Sequence, residues 1–504
     1  MVPFMLFVVR FFPEITIKSR QVRHRFIRIL RRSLRSQLTV IDPGVTVRGD
    51  WDNLEVRTAI EDGPDLQRIV DCLAHTPGIA WSMQVRKYPL PADMDGILDL
   101  VRGHYAPLLP GRTFAVRCKR QGVHSFNSMD VERHVGAGLV RETGAKVKLH
   151  DPEITVRIEI HHNDLFVVER TIPGLGGYPL GSQDGVLSLI SGGFDSAVSS
   201  FQCIRRGLLT HYCFFNLGGK EHELAVKEVA LYLWMKYGAS HRVKFVSVPF
   251  EGVVQQIVTR IDNSQMGVVL KRMMLRAADR VADHLKVEAL VTGESVAQVA
   301  SQTLANLAII ERVTDKLVLR PLITTDKQEI IDVARRIGTE EFSKNVPEYC
   351  GVISVKPTTR ARLHRIEGEE EKFDFAVLDE AVANMQVQMI DRVIEGLGNR
   401  AVAVDEVAEP QTGTVVIDIR HPDEEELRPL QVTGMKVERI PFYELRTRFA
   451  GMSADCQYLL YCDKGIMSRL HASHLRDAGH LNVAVYRPEK ATSGVSQQAS
   501  EQPL

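Results

Sequence analysis

The chain has 504 residues, in which 63 lysines and arginines balance 63 aspartates and glutamates, with 44% hydrophobic and 25% charged residues. This is ordinary globular composition, and the length predicts three to five domains, each able to bury a core. Seven scattered cysteines, with no CxxC pair and no Cys/His group at zinc-ligand spacing, exclude a disulfide framework and a structural metal, and suit a reducing cytosol.

Residues 1–12 are apolar, but the run is broken at Arg10, no basic residue precedes it and no small-residue cleavage site follows. It is also far short of the ~20 residues that cross a bilayer. A buried first strand and a cytoplasmic, membrane-free protein are expected. The neutral total hides a strong local bias, because residues 1–35 carry nine lysines and arginines against Glu14 alone. Val22, Phe26, Ile29, Leu30 and Leu34 recur at helical spacing, so the arginines between them, Arg28, Arg31 and Arg32 among them, predict a one-sign solvated face suited to nucleic-acid phosphates.

Short strands at 45–47 and 54–56 complete a small α+β unit over residues 1–63. A second unit spans 64–170. It has a helix marked by Leu66, Ile69, Val70 and Leu73, a strand at 114–120 ending in Arg117, Lys119 and Arg120, a helix near 131–140, and strands at 154–160 and 165–168. Gly174, Gly176, Gly177 and Gly181 follow as a hinge. Over 171–397, strands at 186–190, 210–216, 243–248, 289–292 and 317–320 alternate with helical stretches, which predicts a parallel sheet with right-handed crossovers. A polar link at 398–412 leads to a last α/β unit at 413–488. Residues 489–504 are polar and low in complexity and are expected to be disordered.

The strongest local signal is Leu189-Ile190-Ser191-Gly192-Gly193-Phe194-Asp195-Ser196, placed between an apolar strand and a helix. Glycines let backbone N–H groups approach an anion, and the helix N-terminus behind them favours a phosphate. Ser191 and Ser196 can donate hydroxyl hydrogen bonds, and Asp195 can hold Mg²⁺ or cap the helix. The run is neither a Walker A loop nor GxGxxG, which disfavours kinase and dehydrogenase chemistry. It resembles the pyrophosphate loop of enzymes that cleave ATP between its α and β phosphates. Lys271 in a helix-opening VVLKRMM, Gly293 in TGES at a strand end, and Gln302 in SQT fit the same site.

The second signal is Cys462-Asp463-Lys464-Gly465-Ile466-Met467-Ser468, between the apolar strand 458–461 and a helical segment. A loop curling onto a helix N-terminus supplies N–H donors and a dipole that favour a thiolate. A free thiol of pKa ~8.5 is only a few per cent ionised at pH 7. With Asp418-Ile419-Arg420 and Ile440-Pro441-Phe442 upstream, this unit resembles a rhodanese domain, whose loop cysteine carries sulfur as a persulfide. Cys350, in PEYCGVIS, gains interest as a second thiol once a persulfide is present. Cys456 reads as incidental, and His161-His162 as a surface pair.

These motifs in this order, together with residues 114–132, which look like a THUMP RNA-binding domain, resemble the ThiI family of tRNA 4-thiouridine synthases in its long form with a C-terminal rhodanese domain. The resemblance implies an α/β multidomain protein: a ferredoxin-like α+β domain and THUMP, a Rossmann-like PP-loop ATP pyrophosphatase domain, then rhodanese. It further implies a tRNA uracil 4-sulfurtransferase that consumes ATP with Mg²⁺ over Leu189–Ser196, Lys271, Gly293 and Gln302. Cys462 would carry the sulfur, delivered by a cysteine desulfurase, and Cys350 would close a Cys350–Cys462 disulfide. A sulfur-carrier protein of thiamine thiazole synthesis would be a second acceptor. A small-molecule ligase with the same loop would need none of the basic arm, the THUMP-like unit or the rhodanese loop. An adaptor or sulfur relay without adenylation activity would not need the intact SGGFDS and Lys271.

Overall fold

The computed structural model describes residues 5–49, 51–217, 219–344, 356–393, 404–411, 413–420, 422–463, 465–477 and 479–488. Cys350 and the expected tail at 489–504 lie outside the described residues.

The described residues between Met5 and Pro173 build one eight-stranded sheet. Its strands are β1 (Met5–Phe11), β2 (Thr46–Arg48), β3 (Leu54–Thr58), β4 (Ile79–Pro89), β5 (Thr113–Gln121), β6 (Lys146–Val147), β7 (Ile154–His161) and β8 (Asp164–Pro173). They run in the order β2-β3-β1-β4-β8-β7-β5-β6. β1 is a buried strand, as its apolarity predicts. Met5, Phe7, Val9 and Phe11 pack with the helices Arg20–Leu38 and Gly63–His75, while Leu6 and Val8 enter a small cluster on the other face.

The expected boundary at 63/64 is not where the cores divide. Ile69, Val70, Leu73 and Ile79 all lie in the core of the first unit, so the helix Gly63–His75 and the start of β4 belong there. The second core begins with the helix Met94–Tyr105, packed with Ser128–Thr143 over β5 and β7.

The middle sheet contains β9 (Gly185–Leu189), β10 (Leu209–Asn216), β11 (Lys244–Pro249), β12 (Ala289–Val291), β13 (Leu317–Leu319) and β14 (Gln386–Met389) in the order β13-β12-β9-β10-β11-β14. All pairings are parallel except that of β14 with β11. β9, β10 and β11 advance one way, and β12 then returns to the other side of β9. This reversal opens a crevice at the carboxyl ends of β9 and β12.

The last sheet repeats that logic with β15 (Glu406–Val407), β16 (Val415–Asp418), β17 (Lys436–Arg439), β18 (Tyr458–Tyr461) and β19 (Val483–Tyr486), all parallel in the order β15-β19-β18-β16-β17. Its reversal lies between β16 and β18. The expected link at 398–412 is thus not wholly a linker, because Glu406 and Val407 pair with Val485 and Tyr486 as an edge strand. A single apolar core runs through the middle and last units, with Phe342 stacked on Phe442 at a ring separation of 4.2 Å.

Candidate functional site

At the first reversal, β9 delivers the chain into the turn 190–193, and the helix Phe194–Arg205 starts at once with Gly193 as N-cap. Gly192 has φ +83°, a conformation glycine adopts without strain. Ser196 braces the turn from inside. Its hydroxyl donates to the Gly193 carbonyl at 3.1 Å and accepts from the backbone N–H of Ser191 at 3.1 Å. Ser343, on the short helix Glu340–Lys344, donates to the Gly192 carbonyl at 3.0 Å. The first helical N–H groups have no intrahelical acceptor and open onto the crevice, an anion-binding arrangement.

The opposing wall rises from β12. A Cβ on Gly293 would lie 2.6 Å from the Asp195 carbonyl carbon and 2.7 Å from the Ser196 nitrogen, so only glycine lets the chain after β12 approach the first turn of the helix Phe194–Arg205 this closely. Next to it Glu294 is buried. Its carboxylate accepts from the Thr292 hydroxyl and from Arg320 Nε, both at 3.0 Å, and faces Lys271 Nζ at 3.6 Å. Burial alone would raise its pKa, but Lys271 and Arg320 outweigh burial and hold the carboxyl below its ordinary value. Lys271 therefore stands beside a fixed anion with its ammonium at the cleft wall. From the helix Lys327–Ile337, Lys327 Nζ reaches both oxygens of Asp195 at 2.9 and 3.0 Å.

Between these walls lies a cleft of about 540 Å³. Its polar end is formed by Ser191, Gly193, Asp195, Ser196, Lys271, Gly293 and Lys327, and its apolar end by Leu189, Phe214, Phe215, Leu217 and Met274. Ile190 and Gln302 also line it, and Gln302 Oε1 is buried with no hydrogen-bond partner among the described residues. An amide so placed suits a ring bearing hydrogen-bond donors, and the two ends suit a base and a polyphosphate respectively. Of the ten nucleotide residues expected from sequence, nine line the cleft; Gly192 instead supplies the turn and the Ser343 contact.

Lys327, Arg320 and Ser343 were not among the expected site residues. Lys327 lines the cleft, Arg320 holds Glu294 behind its wall and Ser343 braces the turn, each from a separate element, and no local pattern marks a lysine at a helix start or a lone serine. Glu294 lay within the TGES motif, but its pairing depends on β13 carrying Arg320 alongside.

Cys462 sits at the second reversal, directly after β18. Its sulfur accepts from the Ser468 N–H at 3.3 Å and lies 3.4 Å from the Ser468 hydroxyl, the loop geometry expected. The expected shift of its pKa is reversed. The side chain is buried, and desolvation outweighs the Ser468 contacts, pushing the thiol above its ordinary value. Arg420, after β16, is held by Asp418 and reaches Asp463 at 3.2 Å.

On the helix Arg20–Leu38, Arg28, Arg31 and Arg32 are exposed while Phe26, Leu30 and Leu34 are buried. Arg23 departs from the expected solvated face, lying buried over the Trp51 ring at 3.9 Å. Arg117 and Lys119 are exposed on β5, and Arg120 is half-buried against His124 and the Gly122 carbonyl.

Three family models match the chain: the ThiI ferredoxin-like domain over residues 6–82, the THUMP domain over 91–168, and the thiamine biosynthesis protein (ThiI) over 181–375. A tRNA sulfurtransferase of Azotobacter vinelandii is 57% identical over 485 residues, 96% of this chain and 100% of its own. The chain belongs to the ThiI family of tRNA sulfurtransferases. A ThiI-family relative from Pseudomonas aeruginosa strain PAO1 has the same identity and coverage. A solved 4-thiouridine synthetase–RNA complex with bound ATP shares the fold with a TM-score of 0.66 and 23% identity, over 77% of this chain and 100% of that one. A protein of Pyrococcus horikoshii matches with a TM-score of 0.51 and 18% identity, over 66% of this chain and 99% of that one. The ThiI-family ferredoxin-like and THUMP models part between residues 82 and 91, where the two cores divide. No helix among the described residues is long and apolar enough to cross a membrane.

Proposed function

We propose that this ThiI-family member adenylates O4 of a tRNA uridine with ATP and replaces that oxygen with sulfur, giving 4-thiouridine in the cytoplasm. The observation that carries the proposal is the crevice at the β9/β12 reversal, where a helix N-terminus, Lys271 and Lys327 meet beside an apolar pocket. Bound there, ATP supplies the adenylyl group that turns a poor leaving oxygen into AMP. The turn 190–193 and the helix N-terminus hold the phosphates, and Lys271 offsets negative charge as it develops. Asp195, paired with Lys327, is the carboxylate that would hold a Mg²⁺, which would supply neutralising charge at the phosphates, and the Lys327 ammonium stands where it offsets the charge of the departing pyrophosphate. Gln302 and the apolar wall hold the base.

The C-terminal unit is read as a rhodanese domain. Its loop after a parallel strand, its Ser468 N–H on sulfur and its Arg420–Asp463 pair support that reading. Cys462 accepts persulfide sulfur from a cysteine desulfurase. In the direct route its terminal sulfur attacks C4 and AMP departs; Cys350 then attacks the Cys462 sulfur, which breaks the S–S bond, leaves one sulfur on the uracil and closes a Cys350–Cys462 disulfide. In the sulfide route Cys350 attacks the Cys462 sulfur first, closing the same disulfide and releasing sulfide, which then displaces AMP at C4. A thiol reductant returns both cysteines with two electrons. The described residues on either side of 345–355 lie at the nucleotide cleft, Ser343 on its turn and Pro357 in its lining. The same persulfide would serve a sulfur-carrier protein of thiazole synthesis. The exposed arginines of the first helix and of β5 bind the tRNA backbone.

ATP–pyrophosphate exchange in the presence of unmodified tRNA tests the adenylation. Stimulated exchange and AMP release are expected, and their absence would reduce the chain to a sulfur relay.

A further inference from the structure

The helix Gly63–His75 of the ferredoxin-like unit meets the sulfur-bearing loop. Arg428, in the C-terminal unit, reaches Asp463 Oδ2 at 2.5 Å with one guanidinium nitrogen and Asp71 Oδ2 at 3.3 Å with another. Asp463 is the residue after Cys462, and its other oxygen takes Arg420 at 3.2 Å and the Tyr461 hydroxyl at 3.1 Å. Asp71 is steadied on its own helix by Gln67, which donates to Oδ1 at 3.0 Å and leaves Oδ2 to Arg428. The side chain of Arg428 is 10% exposed, so this is no solvated surface pair.

The middle unit closes the third side of the junction. His75 stacks edge-on to Tyr237 at 5.6 Å, and the Lys236 charge acts on both Asp71 and the half-buried Glu424 of the C-terminal unit. Cys462, the residue before Asp463, is itself buried.

We propose that Asp71 of the ferredoxin-like unit is a positioning residue for sulfur transfer: through Arg428 it docks the C-terminal unit so that the Cys462 loop is held against the body of the enzyme, closed to external thiol reagents and sulfur donors. The inference rests on the reading of Cys462 as sulfur carrier. In the docked state the sulfur is presented at high effective concentration to the enzyme's own substrate, and loading by a desulfurase requires the Arg428 contact to open. A half-buried ion pair suits such a two-state contact, because its net worth is small while its geometry is specific.

The test uses the full-length protein with Asp71→Asn and Asp71→Lys, the second placing like charge against Arg428. Iodoacetamide labelling of Cys462, followed by mass spectrometry of its peptide, should speed up about fivefold in Asp71→Asn and further in Asp71→Lys. Single-turnover transfer from preloaded Cys462 to tRNA should slow about tenfold, while tRNA-dependent AMP formation and tRNA affinity stay within about twofold. Adding Arg428→Gln to Asp71→Asn should slow transfer no further than Arg428→Gln alone. Unchanged labelling and transfer in both Asp71 variants would overturn the docking role, as would a parallel loss of AMP formation. If Cys462→Ser still thiolates tRNA, it is the carrier reading that fails instead.

Discussion

The Ser343 hydroxyl donates to the Gly192 carbonyl at 3.0 Å, joining the short helix Glu340–Lys344 to the turn that opens the nucleotide cleft. One residue earlier, Phe342 stacks on Phe442 of the C-terminal unit. Five residues thus touch both the ATP end and the sulfur end of the molecule, immediately before the segment that carries Cys350. Ser343→Ala removes one hydrogen bond, worth about 1 kcal/mol. The KM for ATP should rise about fivefold, with Tm lowered by only a few degrees; steady-state AMP formation across ATP concentrations measures this.

Gly293 has no room for a side chain against the Asp195–Ser196 backbone. Gly293→Ala forces the turn and the β12 end apart. Displacements near 1 Å in a positioned site cost about 10²-fold. AMP formation should fall by that order while circular dichroism stays that of the wild type.

The Lys327–Asp195 pair sets the charge at the phosphate end of the cleft. Lys327→Met should lower kcat for tRNA-dependent AMP formation by about 10²–10³, the scale for losing one charge-stabilising donor. Its effect on the KM for ATP should be smaller. An equal loss in kcat/KM carried wholly by KM would assign Lys327 to ground-state binding.

The architecture was legible where periodicity was clean. The apolar runs of β9 to β13 alternate with helices, and their order predicts a parallel sheet with ligand at its reversal. β4 escaped notice although it has 11 residues. It is buried on both faces in its middle, and a bulge between Gln84 and Val85 switches its alternation. The boundary at 63/64 failed for the same reason, since without β4 the helix Gly63–His75 has no visible sheet to join. The nucleotide turn was readable because its chemistry is contiguous, whereas Lys327, Arg320 and Ser343 arrive from 132, 26 and 151 residues away from their partners. The Cys462 loop was readable as geometry but not as electrostatics, because the burial that raises its thiol leaves no local trace in the sequence.

Burial raises the Cys462 thiol above its ordinary value. The thiolate fraction grows with pH, so alkylation of Cys462 should be slow at pH 7–8 and reach half its maximum above pH 9. The exposed arginines are tested by salt. Neutralising Arg28, Arg31 and Arg32 together should weaken tRNA binding and flatten the log–log salt dependence by roughly 0.7–0.9 per lost phosphate contact. An unchanged slope would return that helix face to a merely solubilising role.

The most direct test is formation of 4-thiouridine itself, with a cysteine desulfurase, ³⁵S-cysteine, ATP and unmodified tRNA. The wild type should label tRNA, Asp195→Asn should lose both AMP release and label, and Cys462→Ser should release AMP but transfer no sulfur. Sulfur transfer by Cys462→Ser, or labelling without ATP, would contradict the account.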